Sequence, residues 1–240
     1  MGRISKRIFQ KFYPSATDHF YNLVDKYVQK SEYVLDAGCG DGSIFKYDFR
    51  HNARVLVGID IRNDLADNRQ IHYASQASVQ RIPFKDNTFD LVFSRFVLEH
   101  LKYPGDAFSE LSRVLKPDGI LIVIVPNNYH YFAIAGQIIP HRIQAKIAGW
   151  VNYKEADTFP TYYRANTKRR LIQLGADNGL MYTIIRFIEP APWFMGFSPI
   201  TLIPAILYER LVNKFDVLGS IRANIILIYR KNDYMAPERI

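Results

Sequence analysis

Early in the chain, five residues have the types and spacing to hold a small ligand. Asp36, Gly38, Gly40 and Gly42 fall within the run Val34-Leu35-Asp36-Ala37-Gly38-Cys39-Gly40-Asp41-Gly42, and Asp60 lies eighteen residues beyond Gly42. A strand that runs into glycines two apart brings bare backbone against a ligand, with the N-terminus of a following helix behind it. A carboxylate closing the next strand, Gly58-Ile59-Asp60, can accept both hydroxyls of a ribose. Farther along, Tyr129 and His130 follow a fifth strand, at the carboxyl edge where open α/β sheets bind ligands. Cys39 sits in the glycine turn with no base beside it in sequence, which argues against a nucleophile. No His/Cys/Asp/Glu spacing suits a metal.

These residues need a framework, and the hydrophobic pattern supplies one. Ser15-Ala16-Thr17-Asp18 forms a capping box for a helix whose apolar stripe is Phe20, Leu23, Val24, Tyr27 and Val28. Strands are expected at 33–37, 54–60, 71–73 and 89–94, the last introduced by the turn Lys85-Asp86-Asn87. Pro104 begins a helix with Ala107, Phe108, Leu111, Val114 and Leu115 on one face, and Lys116-Pro117-Asp118-Gly119 reads as its stop and turn. The continuous apolar run 120–125 suits a strand buried on both faces, as parallel sheets require. After a forty-residue stretch, 127–166, Asn166-Thr167 caps another helix ending near Gly179. A strand at 181–188, a helical segment at 200–213 and a last strand at 223–229 follow. Strands alternating with helices predict an α/β, Rossmann-like doubly wound sheet. The expectation is a single domain over 1–240, with an N-terminal helical segment at 1–30 and an acceptor-side insertion at 127–166 after the fifth strand.

The ordered motifs resemble a known family. Leu35-Asp36-Ala37-Gly38-Cys39-Gly40-Asp41-Gly42, Ile82-Pro83-Phe84, Phe89-Asp90-Leu91-Val92, Leu98-Glu99-His100 and 111–119 together are similar to the class I S-adenosylmethionine-dependent methyltransferases of the type 11-like branch. The resemblance covers Tyr33 to about Val125. It implies a seven-stranded sheet, mostly parallel with an antiparallel last strand, and a cofactor, S-adenosylmethionine, that leaves as S-adenosylhomocysteine. It also implies roles. Gly38 and Gly40 face the methionine part, Asp36 lies near its amino group, Asp60 takes the ribose hydroxyls, and Ile61 packs on the adenine. The adenine edge is usually held by an acidic residue. Here that position is Ser78, followed by Val79, whose amide helps. Ser94 would line the methionine side and the reacting methyl.

Methyl transfer from a sulfonium asks the protein mainly to place the acceptor in line, with about 7–11 kcal/mol available from positioning in good intramolecular models. A hydroxyl or phenol acceptor gains about 10²–10⁴-fold more from a general base. His100, after the fourth strand, and His130 are the candidates. The insertion interleaves Tyr129, Tyr131, Phe132, Trp150, Tyr153, Phe159, Tyr162 and Tyr163 with Arg142, Lys146, Lys154 and Arg164, which suits a ring, a sugar face or a phosphate. Tyr129, Tyr162, Tyr163 and Arg164 are the candidate substrate contacts.

Charge narrows the partners. Of a net +8, residues 1–135 carry +2 (17 Lys+Arg against 15 Asp+Glu) and residues 136–240 carry +6 (14 against 8). The positive field therefore belongs with the segments expected to choose the acceptor. Nucleic acid is disfavoured because no RNA-binding module is recognisable. A single cysteine and no visible secretory signal at 1–10 suit a cytoplasmic setting. Apolar runs at 120–125 and 200–207 fall short of the roughly 20 residues a spanning helix needs. Trp193-Phe194-Met195-Gly196-Phe197 and 200–211, beside basic residues, would suit peripheral docking on an anionic membrane, but a plain helix covering the sheet is the favoured reading. The expected activity is methylation of a small or lipid-linked acceptor at oxygen. Methylation of a cell-surface glycan sugar or its lipid-linked precursor, RNA methylation, and a cofactor-binding regulator without catalysis are the alternatives. Sequence leaves the oligomeric state open.

Overall fold

The structure, a computed structural model, describes residues 14–42, 47–65, 68–131, 133–134, 159–192 and 199–232. The chain divides into two compact units, where the sequence suggests one domain with an insertion. One unit is built from 20–125, 161–186 and 226–240, the other from 1–19, 126–160 and 187–225.

The larger unit is entered through helix α1 (Ala16–Val28). Its capping box is closed: Ser15 Oγ accepts from the Asp18 N–H at 3.1 Å, while Asp18 Oδ2 accepts from the Ser15 N–H and hydroxyl, both at 2.8 Å. Phe20, Leu23, Val24 and Val28 of the expected stripe are buried and Tyr27 is half-buried. The strands are β1 (Tyr33–Ala37), β2 (Val55–Asp60), β3 (Tyr73–Gln76), β4 (Phe89–Arg95), β5 (Leu115–Pro126), β6 (Leu180–Ile188) and β7 (Asn224–Lys231). They form one seven-stranded sheet in the order β3-β2-β1-β4-β5-β7-β6. β1 pairs with β2 and β4, β2 with β3, and β4 with β5, all parallel. β7 runs antiparallel to its neighbours β5 and β6, as expected.

Helices α2 (Pro104–Val114) and α3 (Lys168–Ala176) follow β4 and precede β6. The Thr167 side chain caps α3 by accepting from the Arg170 N–H at 3.2 Å. Helix α3 ends at Ala176, short of the expected Gly179, and β3 occupies Tyr73–Gln76 where 71–73 is expected. The expected turn 116–119 lies inside β5: Leu115 is opposite Phe89 and Ile120 opposite Leu91, so the four intervening residues bulge out, with Asp118 at φ 59°.

The smaller unit contains helix α4 (Pro199–Lys214) and a 3₁₀ segment, Asp216–Ile221. Its described part is tied by side chains reaching backbone. Buried Asn127 donates from Nδ2 to the carbonyls of Ser220 and Arg222 at 2.8 and 2.7 Å, and its own N–H donates to Ala223 O. Arg222 donates to Val212 O, and the Tyr208 hydroxyl to Ile221 O. Much of the expected insertion, including Phe132, Arg142, Lys146, Trp150, Tyr153 and Lys154, lies outside the described residues, as does 193–197.

Candidate cofactor and acceptor site

β1 delivers the chain into the glycine turn, and hydrogen bonds to the end of β2 hold it there. Gly38 and Cys39 both donate N–H to Ile59 O, at 2.8 and 3.1 Å. Gly40 donates N–H to Asp60 Oδ2 at 2.9 Å, and Asp60 Oδ1 accepts from Arg62 N at 3.0 Å. Asn68 braces the turn by donating to the carbonyls of Cys39 and Gly40. Two glycines are needed for different reasons. Gly38 has φ 94°, and a Cβ there would stand 2.1 Å from the Val97 side chain. Gly40 has φ 58°, but a Cβ there would meet nothing within 4 Å, so the turn opens onto free space. Beside Asp60, Ile61 is 55% exposed, and Arg62 pairs with Asp64 and Asp41 to stiffen the loop.

The electrostatics follow from burial. Asp36, near the end of β1, is pushed up to about 7 by burial, with the Arg95 guanidinium opposing and the Asp60 charge adding. Arg95 donates from Nε to the Tyr21 hydroxyl at 3.2 Å and sits over the Tyr21 ring. Burial raises that phenol to about 12, and the Asp36 charge adds to the effect. The Cys39 thiol is driven well above its usual range by burial, then by Asp36 and Asp60. Burial and both carboxylates favour the protonated thiol over the thiolate.

Beyond β4 the chain passes Phe96, at φ 55°, into a 3₁₀ turn, Leu98–His100. Glu99 is 4% exposed there, and its Oε2 has no hydrogen-bond partner among the described residues. Burial pushes this carboxyl up to about 8. The Glu99 carbonyl accepts from the N–H groups of Tyr162 and Tyr163, at 2.8 and 3.1 Å, and so anchors the segment that carries Arg164. Arg164 in turn donates to Lys102 O at 2.9 Å. A cavity of about 490 Å³ opens here, lined by Lys102, Tyr103, Arg164, Arg170 and the first turn of α2.

The structure thus brings Asp36, Gly38, Gly40, Asp60 and Ile61 together around one turn. Ser78 is half-buried, with its hydroxyl accepting from the Gln80 N–H, and Val79 is buried beside it. Ser94 is buried and donates to Ala37 O at 2.7 Å, so its hydroxyl is committed to the turn's backbone. His100 is half-buried on the turn after β4. Tyr129 and His130 belong to the smaller unit. There Tyr129 is exposed, and His130 is buried with Nε2 3.4 Å from Glu189 Oε1 and its ring against Tyr131 and Tyr208. Sequence reasoning gives no role to Tyr21, Arg95, Glu99 or Glu189. Tyr21 lies just off the helical stripe, and Glu99 stands next to a more conspicuous histidine.

The strand order, with a ligand turn at the carboxyl end of β1, defines a class I methyltransferase fold. Residues 35–123 match the model of a family described as methyltransferase domain. Over that segment the chain is similar to the methyltransferase domain, and its fold is that of the class I methyltransferases. It is similar to malonyl-[acyl-carrier protein] O-methyltransferase of Enterobacter lignolyticus, 39% identical over 37% of this chain and 36% of that one. It is also similar to tRNA U34 carboxymethyltransferase of Pseudoalteromonas atlantica, 34% identical over 45% and 36%. The chain spans less than half the length of the curated relatives it matches. Among solved structures, an S-adenosylmethionine-dependent methyltransferase from Mesorhizobium loti shares the fold, with a TM-score of 0.59 at 14% identity, over 90% of this chain and 98% of that one.

Proposed function

We propose that the protein is an S-adenosylmethionine-dependent methyltransferase that methylates a small or lipid-linked acceptor at oxygen. The observation that carries the cofactor reading is the joined turn, in which Asp60 Oδ2 holds the Gly40 N–H at 2.9 Å beside an exposed Ile61. Each Asp60 oxygen spends one lone pair on backbone and keeps another for a ribose hydroxyl. Ile61 offers an apolar face to the adenine, the Ser78 hydroxyl and Val79 amide serve its edge, and the free space at Gly40 admits the ligand. When bound, S-adenosylmethionine supplies a sulfonium methyl for transfer to the acceptor oxygen, leaving S-adenosylhomocysteine. Asp36, as a carboxylate, attracts the cofactor's ammonium group. Ser94 supports the turn through Ala37.

On the acceptor side, His100 is the general base that takes the hydroxyl proton. Tyr162, Tyr163 and Arg164 hold the acceptor. The cavity lined by Lys102, Arg164 and Arg170 suits an anionic group on it. His130, sealed against Glu189, acts as a positioning residue for Tyr129 in this reading. The named relatives act on a malonyl-carrier protein and on tRNA, so acceptor choice is assigned chiefly to residues that follow the 35–123 segment, Tyr162, Tyr163, Arg164 and Arg170 among them.

Isothermal titration with S-adenosylhomocysteine tests the cofactor reading, and an absence of binding overturns it. Labelled cofactor incubated with lipid, glycan and RNA extracts side by side tests the acceptor. Label in the lipid or small-molecule fraction supports the reading. Label confined to glycan or to RNA replaces it, and binding without any transfer leaves a regulator.

A further inference from the structure

We propose that the outward face of α4 docks the protein on an anionic membrane surface. The helix has two unlike sides. Ala205, Glu209 and Val212 are buried, whereas Ile200 is 84% exposed, Ile203 59%, Leu207 63% and Leu211 50%. Their spacing of three, four and four residues lays them in one stripe along the helix. Phe215 and Val217 continue the exposed apolar surface past its end. Single exposed leucines are ordinary, but four large aliphatic side chains in register on one helix make a patch that a solvated face does not explain.

Charge selects the occupant. Arg210 and Lys214 are exposed on the same outward arc, and the Lys214 ammonium stands over the Phe215 ring at 5.5 Å. Glu209, the only carboxylate in the helix, is buried instead, with Oε1 accepting from Asn213 at 2.8 Å. Past the end of the helix, Asp216 is fully exposed and pairs with Arg222 at 3.3 Å. A second copy of this chain would bring cations onto a helix face with no free carboxylate to receive them. An anionic lipid surface takes both features at once: the aliphatic stripe enters the acyl boundary while the long basic side chains reach the headgroups. Among the described residues no helix is long and apolar enough to cross a membrane, and α4 with sixteen residues and Pro204 inside it fits lying in the interface.

Cosedimentation of the full chain with vesicles of phosphatidylcholine, with and without phosphatidylglycerol, tests this. The expected result is at least about tenfold more bound protein on the anionic vesicles at low salt, falling steeply in high salt. Leu207→Glu should reduce binding by about tenfold or more through the stripe. The double variant Arg210→Glu, Lys214→Glu should abolish the preference for anionic vesicles while leaving the stripe intact. All these positions are exposed, so circular dichroism and the melting temperature should match the unaltered protein. Equal binding to neutral and anionic vesicles, no binding at all, or binding unchanged in both variants overturns the proposal. So does a dimer in sedimentation velocity that Leu207→Glu dissociates. The readout is membrane binding alone and stands whether or not methyl transfer is found.

Discussion

The two compact units are held together by different kinds of interaction. In the larger one, the ligand turn is fixed by contacts among neighbouring strand ends: Gly38 and Cys39 to Ile59, Gly40 to Asp60. In the smaller one, the ties are side chains reaching far along the sequence, such as Asn127 to the carbonyls of Ser220 and Arg222. A site made from strand ends and backbone tolerates wide change elsewhere. A scaffold made from a few buried amide and guanidinium groups depends on each of them. The difference separates a unit organised around strand ends from one organised around a few long-range ties.

The strongest test of that contrast is Asp60→Ala. It removes charge-assisted hydrogen bonds to the ligand and frees the Gly40 N–H, so the affinity for S-adenosylhomocysteine should fall by about 100-fold or more. Titration calorimetry measures it, and an unchanged affinity would remove Asp60 from the ribose contact. Asn127→Ala should do the opposite. It leaves two part-buried carbonyls without their side-chain donor, at up to about 1–3 kcal/mol each, so hydrogen exchange across 216–223 should accelerate. Exchange in β1 and β2, and the cofactor affinity, should change little. A uniform rise in exchange through both units would erase the contrast.

That difference also decides what the sequence makes legible. The glycine turn, Asp36, Asp60 and five of the seven strands are recognisable within a residue or two, because strand periodicity and turn chemistry act over short spans. β3 is read two residues early because its alternation is weak and its side chains are mostly exposed. The bulge inside β5 looks like a full stop, since Pro117-Asp118-Gly119 has turn composition while the strand pairing on either side is a tertiary fact. Asn127, Arg222 and Glu189 carry no local signature at all. Several of their partners are backbone atoms 10 to 95 residues away, which any sequence supplies. The exposed face of α4 is hidden for a similar reason. Its apolar residues satisfy the helical pattern equally well whether they face a core or a bilayer.

The larger unit should also carry a stability cost that grows with pH. Asp36 is raised to about 7 and Glu99 to about 8, chiefly by burial. A carboxyl raised in the fold binds its proton more tightly folded than unfolded. Its contribution is therefore complete below about pH 4 and is lost as pH rises through 7 to 8. Without ligand, stability should fall between about pH 5.5 and 8.5, by roughly 2 kcal/mol for Asp36 and roughly 3 for Glu99. Glu99→Gln should flatten part of the decline. Urea midpoints at the two pH values measure it, and a profile that Glu99→Gln leaves as steep as before would mean that Glu99 is ionised at little cost.

Ser78→Asp should give the smallest effect, and its direction is informative. The Ser78 hydroxyl already accepts from the Gln80 N–H at 3.1 Å. An aspartate can keep that turn bond and add a charged acceptor for the adenine amino group. The site is half-buried, so the gain is partly screened and should amount to about three- to tenfold in S-adenosylhomocysteine affinity. S-adenosylhomocysteine and its inosyl analogue, titrated in parallel, separate this gain from a general change in charge. The aspartate variant should favour the adenine form, because the inosine ring presents an oxygen where the amino group was. Equal gains for both ligands would mean that Ser78 does not face the adenine edge, and recognition there would then rest on the Val79 amide and the Ile61 face.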